Sequence, residues 1–186
     1  MADPVTRNAA RWAAVIALPV ALVAGLLAYR ILSASSPAPA ASPTPAPQST
    51  APVPTTASPL PTPAAAACQL LVANLPDSVR DRPRRLVTAG AEQNAAFGDP
   101  PITLACGTGA VASVVPTATV YNLSGVCWYP DRGQSATAWT TVDRPVPVTV
   151  TVPNSYDAQA QWVIGFSAPV AGSLTAVDAV PSGCKG

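Results

Sequence analysis

The sequence contains no histidine, and this absence excludes several classes of chemistry. Without an imidazole the chain cannot build a Ser-His-Asp or a Cys-His catalytic group, and most zinc sites are excluded as well. The only lysine, Lys185, is the second residue from the C-terminal end of the sequence, so no internal lysine can act as a general base. We therefore expect a protein that is not an enzyme and that binds no cofactor and no metal.

Charge is also scarce. The chain of 186 residues carries 10 basic and 9 acidic residues, which make up 10% of the sequence against about 25% in an ordinary soluble domain. A net charge of +1 offers no basic stripe, so a nucleic-acid partner is not expected. Because 49% of the residues are hydrophobic, an apolar segment and an uncharged segment must dilute the charges of the folded part.

The apolar segment lies in residues 1–32. Eighteen uncharged residues, WAAVIALPVALVAGLLAY, separate Arg11 from Arg30, and as a helix they would span about 27 Å of a hydrocarbon core about 30 Å thick. Trp12 and Tyr29 lie at the two ends, where interfacial aromatic residues are expected. We predict a transmembrane helix that contacts lipid through residues 12–32. Arg7 and Arg11 place the N-terminus in the cytoplasm and the remainder of the chain outside.

The competing interpretation is a cleaved signal peptide. Ser33-Ala34-Ser35 and Ala38-Pro39-Ala40 have the small-x-small pattern of a cleavage site. The apolar run is longer than the 7–15 residues typical of a signal peptide, and Arg30 and Pro37 crowd the cleavage region. An uncleaved single-pass anchor is therefore the favoured interpretation.

The uncharged segment is residues 33–67, in which ten of 35 residues are proline and most of the rest are alanine, serine and threonine. Such a composition buries no core, and it predicts a disordered linker. Polyproline II geometry at about 3.1 Å per residue gives this linker an upper reach on the order of 100 Å.

Residues 68–186 are the only globular candidate, and we predict an extracytoplasmic α+β domain with an antiparallel sheet and two short helices. The helices are expected at Cys68–Leu75 and Ala168–Thr175, with Asp77–Arg85 as a polar connection between the first helix and the sheet. Four cysteines in a small domain beyond a membrane indicate two disulfides, and three pairings are open. The strands are expected at Leu86–Ala89, Ala91–Phe97, Ile102–Cys106, Ala118–Leu123, Val126–Tyr129, Ala138–Val142, Val146–Val152 and Gln161–Phe166.

Several segments resemble a family of actinobacterial, membrane-anchored proteins classed only as a domain of unknown function, DUF3515. AFGDPPITLACG (96–107) is similar to the family's "aWGdPPivLrCG" segment, and CQLLVANLP (68–76) is similar to its "C-x-x-L-x-x-x-LP" opening. SGVCWY (124–129) and TTVDRPVPVTVTVP (140–153) follow in the family's order. Phe97 and Cys127 depart from the pattern, in which tryptophan and aspartate are usual. The resemblance implies an extracytoplasmic domain behind one membrane helix and implies no activity.

The resemblance also implies a disulfide pairing. The family has cysteines at the positions of Cys68 and Cys106, whereas Cys127 and Cys184 look like additions. We therefore predict bridges Cys68–Cys106 and Cys127–Cys184. The rival pairing, Cys68–Cys184, would join the two ends of the domain, which often lie close in space.

Candidate binding residues are arginines, one aspartate and aromatic side chains. Arg80, Arg82, Arg84 and Arg85 could grip phosphate or carboxylate groups, or they could pair with their acidic neighbours in a solvated loop. Asp99 could bind a cation or partner from a rigid turn, or it could simply accept backbone N–H groups there. Arg144 could bind a ligand, or it could form an ion pair inside the fold. Trp128, Tyr129 and Trp139 either stack on sugar rings or belong to the core.

The sequence as a whole predicts a membrane-anchored binding or interaction module of the actinobacterial cell envelope, with an envelope protein or a cell-wall polymer as its partner. One alternative is an aspartate-dependent enzyme acting on wall or lipid material, which a cleft with clustered carboxylates would favour. Another is an accessory subunit that docks on a membrane complex through the small residues Ala17, Ala21 and Gly25. A flat or grooved face with exposed arginine and tryptophan side chains would favour the binding module.

Overall fold

The computed structural model describes residues 20–31, 48–108, 118–178, 180 and 182–184. The chain divides into two compact units, Met1–Ala46 and Pro47–Gly186.

In the first unit, residues 20–31 form a helix inside the predicted transmembrane segment. Its apolar side chains, among them Leu22, Leu26 and Tyr29, are all more than half exposed. Within the described ranges, no helix has both the length and the apolar character needed to cross a membrane. The rest of the predicted span, residues 12–19 and 32, lies outside the described residues, as do Arg7, Arg11 and both candidate cleavage sites.

The second unit is built on an eight-stranded sheet in which all neighbouring strands are antiparallel. The strand order is β1-β2-β3-β4-β8-β7-β6-β5, so β4 and β8 are central. The predicted α+β class with an antiparallel sheet is confirmed. The strands are β1 (Ser78–Val79), β2 (Arg82–Arg85), β3 (Asn94–Phe97), β4 (Ile102–Cys106), β5 (Tyr121–Leu123), β6 (Val126–Arg132), β7 (Ala136–Thr141) and β8 (Val148–Pro153).

One face of the sheet forms the core together with two helices, α1 (Thr62–Ala73) and α2 (Gln159–Ser173). In β8, Val148, Val150 and Val152 are fully buried while the threonines between them are half-buried, so the apolar face is turned toward the helices. A third, 3-10 helix covers Ser182–Cys184.

Helix α1 begins six residues before the predicted Cys68 and ends at Ala73 rather than at Leu75. A proline in its first turn and the run Ala64–Ala67 explain the early start, because proline is favoured at the first helical position and alanine has the highest helix propensity. The predicted boundary at residue 68 therefore differs from the structure, which includes part of the predicted linker in the folded unit.

Residues 48–60, which we call the strap, lie beside the sheet and also belong to the predicted linker. Val53 is 3% exposed and forms a parallel bridge with Val87, with hydrogen bonds from Val53 N to Leu86 O (2.8 Å) and from Thr88 N to Val53 O (3.0 Å). Composition alone predicted disorder here because most strap residues are small or proline. The strap is ordered by contacts with the edge of the domain rather than by a core of its own.

The predicted strand Gln161–Phe166 is wrong, because these residues belong to α2. Trp162, Ile164 and Phe166 suggested an alternating pattern, but the buried positions are Trp162, Val163, Phe166 and Val170, which have helical spacing. The predicted helix from Ala168 is the second half of the same helix, with Pro169 in its interior rather than in its first turn.

The predictions around the first strands are also corrected. Asp77–Arg85 is not a connection, because β1 and β2 form a hairpin within it. Leu86–Ala89 is not a regular strand; Val87 makes only the single bridge to the strap, and Leu86 is 73% exposed.

Two disulfides staple the domain, and they have the predicted pairing. Cys68–Cys106 joins α1 to β4, and both half-cystines are fully buried. Cys127–Cys184 joins β6 to the 3-10 helix near the C-terminal end of the chain. In both bridges the Cα atoms are 5.6 Å apart, which is typical of a disulfide.

Removing the second bridge is expected to destabilise the domain without unfolding it. The bridge spans 57 residues, for which the loss of loop-closure entropy is about 4 kcal/mol. We expect Cys127→Ala/Cys184→Ala to lower the free energy of unfolding by about this amount in urea titrations under non-reducing conditions. For comparison, the free energy of unfolding is also measured for the wild-type chain in the presence of a reductant, which opens both bridges. An unchanged midpoint for the double variant would contradict the prediction.

Candidate functional site

Two of the predicted binding residues lie inside the fold. Trp128 is fully buried and donates its indole N–H to Ser167 Oγ (3.2 Å), so it cannot stack on a ligand in this structure. Arg144 is 8% exposed, forms an ion pair with Asp143 (2.6 Å) and donates to Gly125 O (3.1 Å). Of the two roles weighed for Arg144, the structure shows the internal pairing.

Arg85 and Asp99 hold the strap against the sheet. Arg85 donates twice to Ala51 O, with Nη2 at 2.6 Å and Nε at 3.2 Å, and once to Gly98 O at 2.8 Å. Asp99 forms a long ion pair with Arg85 (3.9 Å) and accepts the backbone N–H of Ser49 (3.3 Å). Arg84 donates to Val72 O at the end of α1 (3.3 Å). These three side chains thus make contacts within the fold.

A first cavity lies against the sheet beside the start of α2, and we call it the sheet cavity. Its volume is ≈ 630 Å³, within the range usual for small-molecule sites. Trp139, which is 3% exposed, lines it, and Tyr121 packs edge-on against Trp139 with ring centroids 5.5 Å apart. The indole N–H of Trp139 has no hydrogen-bond partner among the described residues. Arg132, Thr137, Asn154, Tyr156, Asp157, Gln159 and Gln161 are among the other lining residues.

A second cavity of ≈ 450 Å³, which we call the arginine cavity, lies at the β1–β2 hairpin. The Arg80 guanidinium carbon lies 4.8 Å from the centroid of the Trp162 ring, and that of Arg82 lies 5.5 Å from the Tyr156 centroid and 6.0 Å from the Trp162 centroid. The lining residues are Arg80, Asp81, Arg82, Ser155, Tyr156, Asp157, Ala158 and Trp162. The two cavities share the loop Tyr156–Ala158, which precedes α2.

The Gly98-Asp99-Pro100 segment contacts two residues that line the arginine cavity, Arg82 and Tyr156. Gly98 has φ +68°, and a Cβ atom there would lie 2.7 Å from Arg82 Cδ, so only glycine admits the arginine stem at this distance. Pro100 O accepts the phenol of Tyr156 (2.7 Å). Burial raises the pKa of Tyr156 above its ordinary value, with Arg82 acting in the opposite direction, so the phenol stays protonated as this donor at neutral pH.

The N-terminal end of α2 completes the site. Ala158 caps this 15-residue helix in a left-handed conformation, and no side chain accepts the N–H groups of its first turn. These groups and the two arginines supply donors beside aromatic walls, an arrangement suited to binding oxygen-rich ligands. The amides of Asn154 and Gln159 donate within the fold instead, to Gly133 O and Gln134 O and to the end of β8. Among the described residues, no group of three or more carboxylate or cysteine side chains could hold a metal ion.

The sequence predictions found only part of this site. Arg80, Arg82 and Trp139 were among the candidates considered, whereas Tyr121, Asn154, Tyr156 and Trp162 were not. The available signal was the segment Asn154-Ser155-Tyr156-Asp157, a polar loop with one aromatic residue between a strand and a helix, where binding residues commonly lie.

Fold and site together define a small α+β domain with two disulfides and a polar, aromatic-lined face at the start of its last α-helix. Residues 16–179 match the family described as "Protein of unknown function (DUF3515)". This match covers most of the chain, so the protein belongs to that family, as the resemblance predicted. No curated protein and no solved structure shows significant similarity to the chain.

The role of Arg85 can be tested by hydrogen exchange. Arg85→Lys keeps the charge but loses the forked contact with Ala51 O, and each hydrogen bond from a charged group contributes roughly 1.5–3 kcal/mol. We expect the amides of Val53 and Thr88, which pair the strap with the sheet, to exchange at least about tenfold faster. Arg84→Lys, in the same strand, should leave these two amides unchanged. Equal protection in both variants would show that Arg85 does not hold the strap.

Proposed function

We propose that the protein is a binding module of the actinobacterial cell envelope, held at the cytoplasmic membrane by its N-terminal helix, with residues 48–186 outside the cytoplasm. Its ligand is a cell-wall polymer, bound on the face that carries the sheet cavity and the arginine cavity. The observation that carries the proposal is the sheet cavity itself, which is lined by aromatic and polar side chains.

The membrane attachment is supported by residues 20–31. Their helix is apolar on every side except at Arg30, and its large side chains are exposed all around. A helix that is hydrophobic on all faces is stable where lipid or protein covers it. The two disulfides support an extracytoplasmic domain, because such bonds persist in oxidising compartments and are rare in the cytosol.

The ligand class is supported by what lines the sheet cavity. Tyr121 offers half-buried aromatic surface, backed by the nearly buried rings of Trp139 and Tyr156, and Thr137 and Gln161 add a hydroxyl and an amide group. Arg132 and Asp157 contribute one charge of each sign, so the lining favours a neutral, hydroxyl-rich ligand over a strongly charged one. A saccharide has such a surface, with apolar C–H faces and many hydroxyls. The arginine cavity, with its aromatic walls, also favours a binding module over an aspartate-dependent enzyme.

The orientation is tested with a reporter. Alkaline phosphatase fused after Gly186 should be active, because it folds only where disulfides form. The same fusion lacking residues 1–32 should be inactive. A fusion that is inactive with the N-terminal segment present would overturn the extracytoplasmic assignment. A mature chain that begins near Ser35 would overturn the anchor and leave a secreted module.

The binding face is tested with a soluble disaccharide-peptide fragment of peptidoglycan. In the full chain purified in neutral detergent, we expect the indole N–H resonance of Trp139 to shift saturably during titration. Tyr121→Ala should weaken binding at least about tenfold, because it removes the ring packed on Trp139. Tyr129→Ala is the matched control, since β6 places Tyr129 on the opposite sheet face from the buried Trp128. No shift, or equal weakening by both variants, would contradict the proposed ligand.

A further inference from the structure

The four arginines of the β1–β2 hairpin divide into two pairs with different environments. Arg84 and Arg85 donate to backbone carbonyl groups and so hold α1 and the strap. The Arg80 side chain makes no hydrogen bond to any residue of the described chain, and the Arg82 side chain has no polar partner there except Asp81, in an ion pair at 3.7 Å. Arg82 Nε is buried, so the groups open to a ligand are the Arg80 guanidinium and the terminal N–H groups of Arg82.

Two aromatic rings fix the positions of these open guanidinium groups. Both guanidinium carbons lie within 6.0 Å of the same Trp162 centroid, and Arg82 also lies over Tyr156. Tyr156 and Trp162 are held in turn by an edge-on contact at 4.8 Å and by hydrogen bonds to Pro100 O and Asp157 O. Arginine stacked on a ring loses less conformational freedom when its planar fork grips an oxyanion.

The cavity between the arginines adds further donors. Ser155 contributes a hydroxyl group, and Ala158 brings the uncapped start of α2 to the same wall. The positive end of a helix attracts an anion within its first turn. Gly98 leaves room for the Arg82 stem, so the neighbouring backbone is fitted to this side chain.

Two carboxylates limit the electrostatic attraction. Asp81 and Asp157 also line the cavity and offset the formal charge of the two arginines. The long-range field is therefore small, and affinity must come from short-range hydrogen bonds with the guanidinium forks. A tetrahedral phosphate has enough oxygens to accept from two forks and a hydroxyl at once, whereas a carboxylate has two oxygens.

We infer that Arg80 and Arg82 bind a phosphate group of the ligand in the arginine cavity. The inference rests on the proposed binding function and names a second chemical group that the same face recognises. The phosphate group could belong to a phosphodiester of a lipid headgroup or wall polymer, or it could be free phosphate. Both share this chemistry, and the experiment distinguishes the two sources.

The test is a titration of the full chain in neutral detergent, followed through the arginine Nε–Hε resonances. The probes are inorganic phosphate and glycerophosphoglycerol, a phospholipid headgroup without acyl chains. We expect saturable shifts of the Arg80 and Arg82 resonances with at least one probe. Tighter binding of the diester indicates a lipid or polymer source, and tighter binding of inorganic phosphate indicates free phosphate.

Arginine-to-lysine variants keep the positive charge but remove the planar guanidinium group, so they test whether its geometry is needed for binding. Arg80→Lys and Arg82→Lys should each weaken binding at least about tenfold, whereas Arg84→Lys, in the same hairpin, should change it less than about twofold. Arg80 is exposed, so its variant does not disturb the core, and an unshifted Trp128 indole resonance reports that each variant is folded. The inference is overturned if neither probe binds, if both lysine variants at positions 80 and 82 bind as the wild type does, or if Arg84→Lys weakens binding equally. Peptidoglycan binding that survives such a result leaves the proposed function standing.

Discussion

The Cys68–Cys106 bridge is the constraint on which the rest of the domain depends. It joins α1 to the central strand β4 at two fully buried positions, and it therefore fixes the helix on the core face of the sheet. Near the end of α1, Val72 O accepts a hydrogen bond from Arg84 of the β1–β2 hairpin. The arginines Arg80 and Arg82 belong to this same hairpin, so the ligand-binding candidates lie close to the part of the fold that the bridge holds.

The β1–β2 hairpin combines support of the fold with presentation of ligand-binding groups. Alternation along β2 sends Arg82 and Arg84 to one face and Arg85 to the other. Arg84 and Arg85 use their donors on α1 and the strap, and Arg82 rests on Tyr156 with its donors open. A run of similar residues therefore contains two arginines that support the fold and two that are candidates for ligand binding. Only their neighbours in three dimensions distinguish them.

Patterns of neighbouring residues in the sequence predicted those parts of the fold that short-range interactions determine. The alternation in Val146–Val152 predicted a half-buried strand, observed at Val148–Pro153, and the family resemblance predicted the disulfide pairing. The strand predicted at Gln161–Phe166 failed because Trp162 and Phe166 fit both an alternating and a helical period, and contact with the sheet decides between them. The cavities were beyond sequence reasoning for a similar reason. Arg80 meets Trp162, and Tyr121 meets Trp139, only through tertiary packing.

The strap has a mechanical consequence. Any tension applied to the chain before Gln48 acts first on the contacts of Arg85 with Ala51 and on the bridge between Val53 and Val87. The contacts of Thr55, Thr56 and Ser58 with residues 88–94 follow along the chain. All of these are separate hydrogen bonds, so they can break one after another. Extension then reaches Cys68, where the covalent link to β4 stops it. Under load, the strap and the first turns of α1 act as a short extensible element that protects the sheet from being pulled apart.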